Sequence, residues 1–391
     1  VNTPSHQPPT QASWLELSTH AYDANVHVFR ALGAPRLGAV LKGNAYGHGL
    51  LETLGLAHAQ VDSLYVIRPE EALAVRAWEA ANAQPQRDVL VLGAVTPREC
   101  VALAHAHVAV AVAATDFREV PAALKAACAP RLSVHVHLDT GLGREGFTPD
   151  QVALGACDFL VDPAVSVDGV LSHFSNTEDV TEQDYAREQL ARFTATSGVL
   201  AQRLNTGQLV KHFAASAAAL VLPPARLDVL RVGISLYGLW PSSETRLSAR
   251  VVLGEVPTLE PVLSWRVPSQ VVKWLPAGSY VGYGCTWRCG AATRVAVLPV
   301  GYWDGYPRLV SGKAHVLVQG QRCPVLGRVM MNHVIADVTH AVRDERPLVA
   351  TLLGRDGDEV VSAETLAGWA QTIHYELLTR LGPHLRRIVV P

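Results

Sequence analysis

The sequence predicts an α/β fold: an N-terminal (β/α)8 barrel of the TIM type followed by a C-terminal, mainly β domain. Eight short runs rich in Val, Leu and Ala alternate with amphipathic stretches between Gly38 and Gly238, the pattern of a barrel whose strands are buried on both faces. Beyond Trp240 this gives way to β-rich runs punctuated by Gly and Pro, as in a mainly β domain. A chain of 391 residues has room for two such domains. The expected spans are 12–243 and 244–391.

The first ten residues, rich in Pro, Ser, Thr and Gln, are an expected flexible tail. The expected barrel strands are GAVLK (38–42), LYVI (64–67), VLVLG (89–93), VAVAVA (108–113), SVHVHLDT (133–140), VSVDGVLSHF (165–174), VKHFAAS (210–216) and VLRVGISLYG (229–238). Between them, stretches such as PEEALAVRAWEAANAQ (69–84) and EQDYAREQLARFTATSGVLAQRL (182–204) repeat apolar residues at three- and four-residue spacing, which favours helices. A doubly wound open sheet alternates in the same way; the count of eight favours the barrel. PSSETRL (241–247) lacks an apolar period and marks the expected boundary. After it come PVLSWRVPSQVVKWL (261–275), GSYVGYG (278–284), TRVAVLPVG (293–301), AHVLVQG (314–320), CPVLGRVMMNHVIADV (323–338) and PLVATLLG (347–354), with one helical stretch, ETLAGWAQTI (364–373).

Composition narrows the function. With 33 basic and 35 acidic residues the net charge is −2, so there is no basic excess for nucleic acid. At 49% apolar and 17% charged residues a large core is expected and disorder is not. No apolar stretch approaches the ~20 residues of a membrane helix, and the opening VNTPSHQPPTQ lacks the charged start and apolar run of a signal peptide. A cytoplasmic protein is expected. The six cysteines follow no disulfide-framework spacing.

Lys42 ends a buried run before the glycine-rich turn GNAYGHG, where barrel active sites are built. Desolvation there lowers an amine's pKa and suits it to Schiff-base or proton-transfer chemistry. The alternative is a lysine snorkelling from a strand end; the neighbouring Gly, Asn, Tyr and His favour the catalytic reading. Cys285 and Cys289 lack a second Cys/His pair at zinc spacing. The pairs His105/His107 and His135/His137 alternate along expected strands, so each would point to one face; no metal site is expected. The Asp304-Gly305 turn reads as structural.

The stretch KGNAYGHG (42–49) resembles the cofactor-lysine motif of the alanine racemases, fold-type III enzymes that use pyridoxal 5'-phosphate (PLP). The likeness recurs in DTGLGREGF (139–147), SHFSNTED (172–179), RVGISLYG (231–238), VGYG (281–284), GYWDGYPR (301–308), GRVMMN (327–332) and HYELLTRLG (374–382). It implies a homodimer whose active sites are shared between subunits. Lys42 would hold PLP covalently, with Tyr46, Leu92, His173, Ser216, Gly233, Ile234 and Tyr375 also at the cofactor. Arg231 would contact the pyridine nitrogen, making the ring a weaker electron sink than a carboxylate partner would. Arg144 would position the substrate carboxylate and the cofactor oxygen. Racemisation needs a base on each face of Cα. Lys42 would serve one, and Tyr283 of the partner subunit the other. Phenols titrate near 10, so a tyrosinate needs a nearby positive or hydrogen-bonding group, the role implied for His173. Tyr302 and Met331 would approach the substrate from the second domain, Met331 through its backbone N–H.

Three positions depart from the family pattern. Many members carry a carboxylated lysine where this chain has His137, so either another anion holds Arg144 or hydrogen bonds do. An Asn-Ser pair near the phosphate reads Ala215-Ser216, and a Met-Asp pair at the substrate mouth reads Met331-Asn332. Alanine is the expected substrate, with D-alanine for peptidoglycan as the product. A broader or shifted racemase is the first alternative and a fold-type III decarboxylase the second; Arg231 and the Tyr283 motif favour racemisation. A non-catalytic PLP carrier would lack the second domain.

Overall fold

The computed structural model describes residues 12–178, 182–341 and 348–391; the expected N-terminal tail, Asp179 and Pro347 lie outside them. The chain divides into two compact units, one comprising Ala21–Ala45 and Thr53–Glu260, the other the described residues of Val1–His20, Tyr46–Glu52 and Pro261–Pro391.

The larger unit is the barrel. Its strands are β1 (Arg36–Val40), β2 (Ser63–Val66), β3 (Asp88–Val91), β4 (Ala109–Val112), β5 (Leu132–His137), β6 (Val165–Leu171), β7 (Val210–His212) and β8 (Val229–Val232). They pair in parallel in the order β7-β6-β5-β4-β3-β2-β1-β8. At the remaining seam the Asp228 N–H donates to Lys211 O at 3.1 Å and the Arg231 N–H to Ala214 O at 3.0 Å. The Lys211 N–H also donates to the Asp228 carboxylate at 2.8 Å. All eight expected strands are present, and the two quoted helical stretches form Pro69–Ala81 and Asp184–Arg203.

The barrel interior departs from the branched apolar filling usual for this fold. Buried Tyr65, His212 and Arg231 meet there, and His135 packs on His212 with ring centroids 4.9 Å apart. Two glycines make room: a Cβ on Gly38 would lie 2.2 Å from the Tyr65 ring, and one on Gly169 would lie 2.4 Å from His135 Nδ1.

From Lys42 the chain enters a left-handed turn. Gly43, Asn44, Ala45 and Tyr46 all have φ between 53° and 64°. The turn closes through the Ala45 N–H to Leu41 O at 2.8 Å, and the Gly43 N–H donates to Glu71 Oε1 at 3.0 Å.

Ser243–Leu247 of the segment expected as the domain boundary lies in a helix, Ser243–Leu253, capped by the Ser242 hydroxyl accepting from the Thr245 N–H at 3.0 Å. This helix buries Thr245, Ser248 and Ala249 and exposes Leu247 and Val251, so its larger apolar residues do not mark its buried face. His105 and His107 do not alternate along a strand either. His105 ends the helix Pro97–His105, and His107 sits in a turn at φ 52°.

The second unit is mainly β. Trp14–Ser18 pairs antiparallel with Leu263–Pro268 and parallel with Arg386–Val390. Val349–Asp356, His315–Val318 and Gln321–Pro324 extend that sheet. A second sheet joins Val271–Leu275, Thr293–Leu298 and Val334–Asp337, and a two-stranded ribbon pairs Tyr280–Val281 with Trp287–Arg288. The alternation in Trp14-Leu15-Glu16-Leu17-Ser18 was the legible sign of the first strand. Ala363–Trp369 and His374–Thr379 are helical. Gly47 lies against the second helix, where a Cβ would come 1.9 Å from Leu378 O. Its own carbonyl accepts from Arg387 Nε at 3.1 Å and Nη2 at 2.8 Å.

Candidate active site

The barrel brings together Lys42, Leu92, Arg144, His173, Ser216, Arg231, Gly233 and Ile234. Except for Arg231, which lies within β8, they follow the C-terminal ends of β1, β3, β5, β6, β7 and β8, the face on which such barrels build active sites.

Arg231 is buried and its four Nη hydrogens have acceptors: His212 Nδ1 at 2.9 Å, His212 O, Ser172 O at 2.6 Å and Phe213 O at 3.4 Å. Among the described residues no acceptor engages its Nε–H. The Lys42 amine is held below the usual lysine range, first by burial and then by the Arg144 and Arg231 charges. His173 is pushed down to about 3 by burial, with the Arg231, Arg144 and Lys42 charges adding to the effect. It is therefore a neutral hydrogen-bonding imidazole at ordinary pH. The Gly233 N–H donates to Ser216 Oγ at 3.1 Å, and Ile234 opens a short 3-10 turn beside it.

Leu92 and Arg144 line a cavity of about 450 Å³ with Glu145, Phe117 and Phe147. Arg144 Nη2 lies 2.8 Å from Glu145 Oε1. The buried His137 Nδ1 lacks a hydrogen-bond partner among the described residues and stands 3.9 Å from the same oxygen. Burial pushes that imidazole down to about 3, so the negative group beside Arg144 is the Glu145 carboxylate.

In the second unit Tyr283, Tyr302, Met331 and Asn332 line one cavity of about 410 Å³, with Arg308 and Arg328. Tyr283 is 72% exposed and is flanked by Gly282 at φ 73° and Gly284 at φ 74°. The Tyr302 and Trp303 N–H groups donate to Met330 O and Met331 O at 3.1 and 3.0 Å, a close approach that Gly301 permits, since a Cβ there would lie 2.2 Å from Met330 O. Asp304 holds the loop by accepting from the Gly301 N–H at 2.8 Å and contacting His384 Nε2 at 2.9 Å. Among the described residues no acceptor engages the Met331 N–H. The rings of Tyr46 and Tyr375 stand 6.2 Å apart, and burial raises the Tyr46 phenol well above its ordinary range.

Two family models match, the alanine racemase N-terminal domain over residues 17–241 and the C-terminal domain over 262–389. The chain belongs to the alanine racemase family. An alanine racemase of Leptospira interrogans is 34% identical over 97% of this chain and 96% of its own length. The alanine racemase structure from D-cycloserine-producing Streptomyces lavendulae superposes with a TM-score of 0.84 at 32% identity, covering 98% of each chain. A histidine racemase from Leuconostoc mesenteroides superposes at 0.82 with 28% identity, covering 99% of this chain and 100% of its own.

Sequence reasoning missed Glu145 and His212 as site residues. Glu145 occurs inside a quoted motif, but its neighbour Arg144 drew the reading. His212 sits in VKHF, and only the folded barrel turns it toward Arg231. Among the described residues no group of three or more His, Cys, Asp or Glu could hold a metal ion, and no helix is long and apolar enough to cross a membrane.

Proposed function

We propose that the protein is a PLP-dependent racemase interconverting L- and D-alanine, working as a homodimer and supplying D-alanine for peptidoglycan. The observation that carries this reading is the half-buried Lys42 amine, lowered in pKa, beside a buried arginine whose Nε–H is the donor left uncommitted. The residues fit PLP chemically: an amine suited to Schiff-base formation, an N–H donor for a pyridine nitrogen, and, for a phosphate, the Ser216 hydroxyl, whose oxygen accepts from the Gly233 N–H. Ile234, Tyr46 and Tyr375 join the phosphate set, and Leu92 the ring contacts, by their motif positions.

When bound, PLP supplies the electron-withdrawing system that acidifies the Cα–H of an attached amino acid. Lys42 Nζ moves the proton on one face of Cα. The Tyr283 hydroxyl of the partner subunit moves it on the other, with neutral His173 as its hydrogen-bonding partner. Arg144 binds the substrate carboxylate, the Met331 N–H of the partner subunit adds a second donor, and Tyr302 of the partner subunit narrows the approach. Arg231 would hold the cofactor ring through its Nε–H, a donor that would disfavour protonation of the ring nitrogen and so limit side reactions.

The test is racemisation of an amino-acid panel with added PLP, followed by circular dichroism. Alanine should turn over fastest; no loss of optical activity on any member would reject the reading. A broader range is favoured by Asn332, which removes a negative charge from the mouth, and by the likeness to a histidine racemase. Asn332→Asp should then narrow the panel toward alanine.

Glu145 also carries an expectation. Glu145→Gln removes the charge that holds Arg144 but keeps the side chain's size. KM for alanine should rise about tenfold, as for loss of one charge-assisted contact, with kcat less affected. Added bicarbonate should change nothing in the native enzyme, because His137 cannot form a carbamate.

A further inference from the structure

His135 has no part in the chemistry described so far, yet it occupies space that the barrel reserves for it. Its ring fits only because residue 169 is glycine, and the β5–β6 register shifts between Val134 and His135. His135 Nδ1 lies 2.7 Å from His212 Nε2, and His212 Nδ1 lies 2.9 Å from Arg231 Nη1.

The protons in this chain can be arranged in only one way. Arginine has donors and no acceptor, so His212 Nδ1 must offer its lone pair to Arg231. A neutral imidazole has one N–H, which then sits on Nε2 and donates to His135. His135 Nδ1 accepts, and its own proton is on Nε2. A metal bridge between the two rings is excluded by distance. Two nitrogens bound to one zinc at about 2.0–2.1 Å in tetrahedral geometry stand about 3.3 Å apart, beyond the 2.7 Å seen here.

We propose that His135 is a positioning residue for the racemase: by accepting from His212 it fixes that ring's tautomer, and the fixed ring holds the Arg231 guanidinium with its Nε–H left for the cofactor ring. The inference rests on the function proposed above. Both imidazoles are neutral, His135 being lowered to about 4 and His212 well below its ordinary value, in each case first by burial. Without the His135 acceptor, His212 has two options. Its proton stays on Nε2 as an unpaired buried donor, or it moves to Nδ1 and faces the Arg231 donors. The first costs the free energy of an unpaired buried donor; the second turns an N–H toward the Arg231 donors and displaces the guanidinium.

The test uses protein labelled with ¹⁵N-histidine, with and without PLP, and two variants. In the native protein the ring nitrogens should report a bare Nδ1 on both His212 and His135. His135→Leu should lower kcat about tenfold or more, as for a buried donor left without its acceptor. KM should change little, and the absorption band of bound PLP should shift. His135→Asn, whose carboxamide oxygen can accept, should recover most of kcat and the native band. A proton on His212 Nδ1 in the native protein would overturn the proposal. So would a leucine variant with native kcat and band, or an asparagine variant no better than leucine. If the leucine variant does not fold, the native tautomers and the asparagine variant decide. The tautomers are read without PLP as well, so failure of this inference is separable from failure to bind PLP or to racemise.

Discussion

Lys42→Ala should abolish racemisation in both directions, by about 10⁴-fold or more, because the proposed function makes one residue both covalent anchor and base. An alanine side chain leaves no amine within the barrel mouth, and His173, neutral and held near 3 by burial, is too weak a base to replace it. Circular dichroism on both enantiomers measures the loss, and small alkylamines should restore part of it. The sign of the pH dependence follows from the same surroundings. Burial and the Arg144 and Arg231 charges disfavour the ammonium form of Lys42, so the free base develops below the ordinary lysine value near 10.4. The rising limb of kcat against pH therefore lies low. Arg144→Gln removes one of those charges and should move the limb to higher pH. A limb that stays in place would mean that Lys42 is not the titrating base.

Tyr283→Phe should cost about 10²–10⁴-fold, the usual contribution of a positioned acid–base group, and should do so without weakening PLP binding. Its effect has a handedness that no structural disturbance would imitate. Lys42 still serves one face, so solvent isotope exchange at Cα should continue for one enantiomer and fail for the other. Equal exchange of both enantiomers would remove Tyr283 from the mechanism. Tyr283 is 72% exposed and shares its cavity with Tyr302 and Met331, which fits the proposed role in a second copy's site.

The barrel was legible because its strands are buried on both faces, leaving near-continuous runs such as Val89-Leu90-Val91 and Val110-Ala111-Val112. Lys42 was legible because strand, lysine and glycine turn are contiguous. The helix Ser243–Leu253 was hidden because it packs through Thr245, Ser248 and Ala249, small or polar side chains, while Leu247 and Val251 face outward. The histidine pair of β5 was half legible. His135 and His137 announce a shared face, but that the first meets His212 and the second faces Glu145 depends on strand order and a register shift, which no local pattern carries. The role of Glu145 was obscured for another reason: an acidic residue next to an arginine is commonplace, and only its approach to buried His137 sets it apart.

The turn after Lys42 has a consequence for chirality. Asn44, Ala45 and Tyr46 are L-residues held at φ of 53–54°, where each costs about 1–2 kcal/mol relative to the right-handed form. Their sum, about 3–6 kcal/mol, is comparable with the whole net stability of many domains, about 5–15 kcal/mol. A D-residue has the mirror preference. Semi-synthetic protein carrying D-alanine at position 45 should therefore be more stable than the native chain, by about 1–2 kcal/mol in denaturant. At this one buried site, the mirror-image amino acid is the better fit to the backbone.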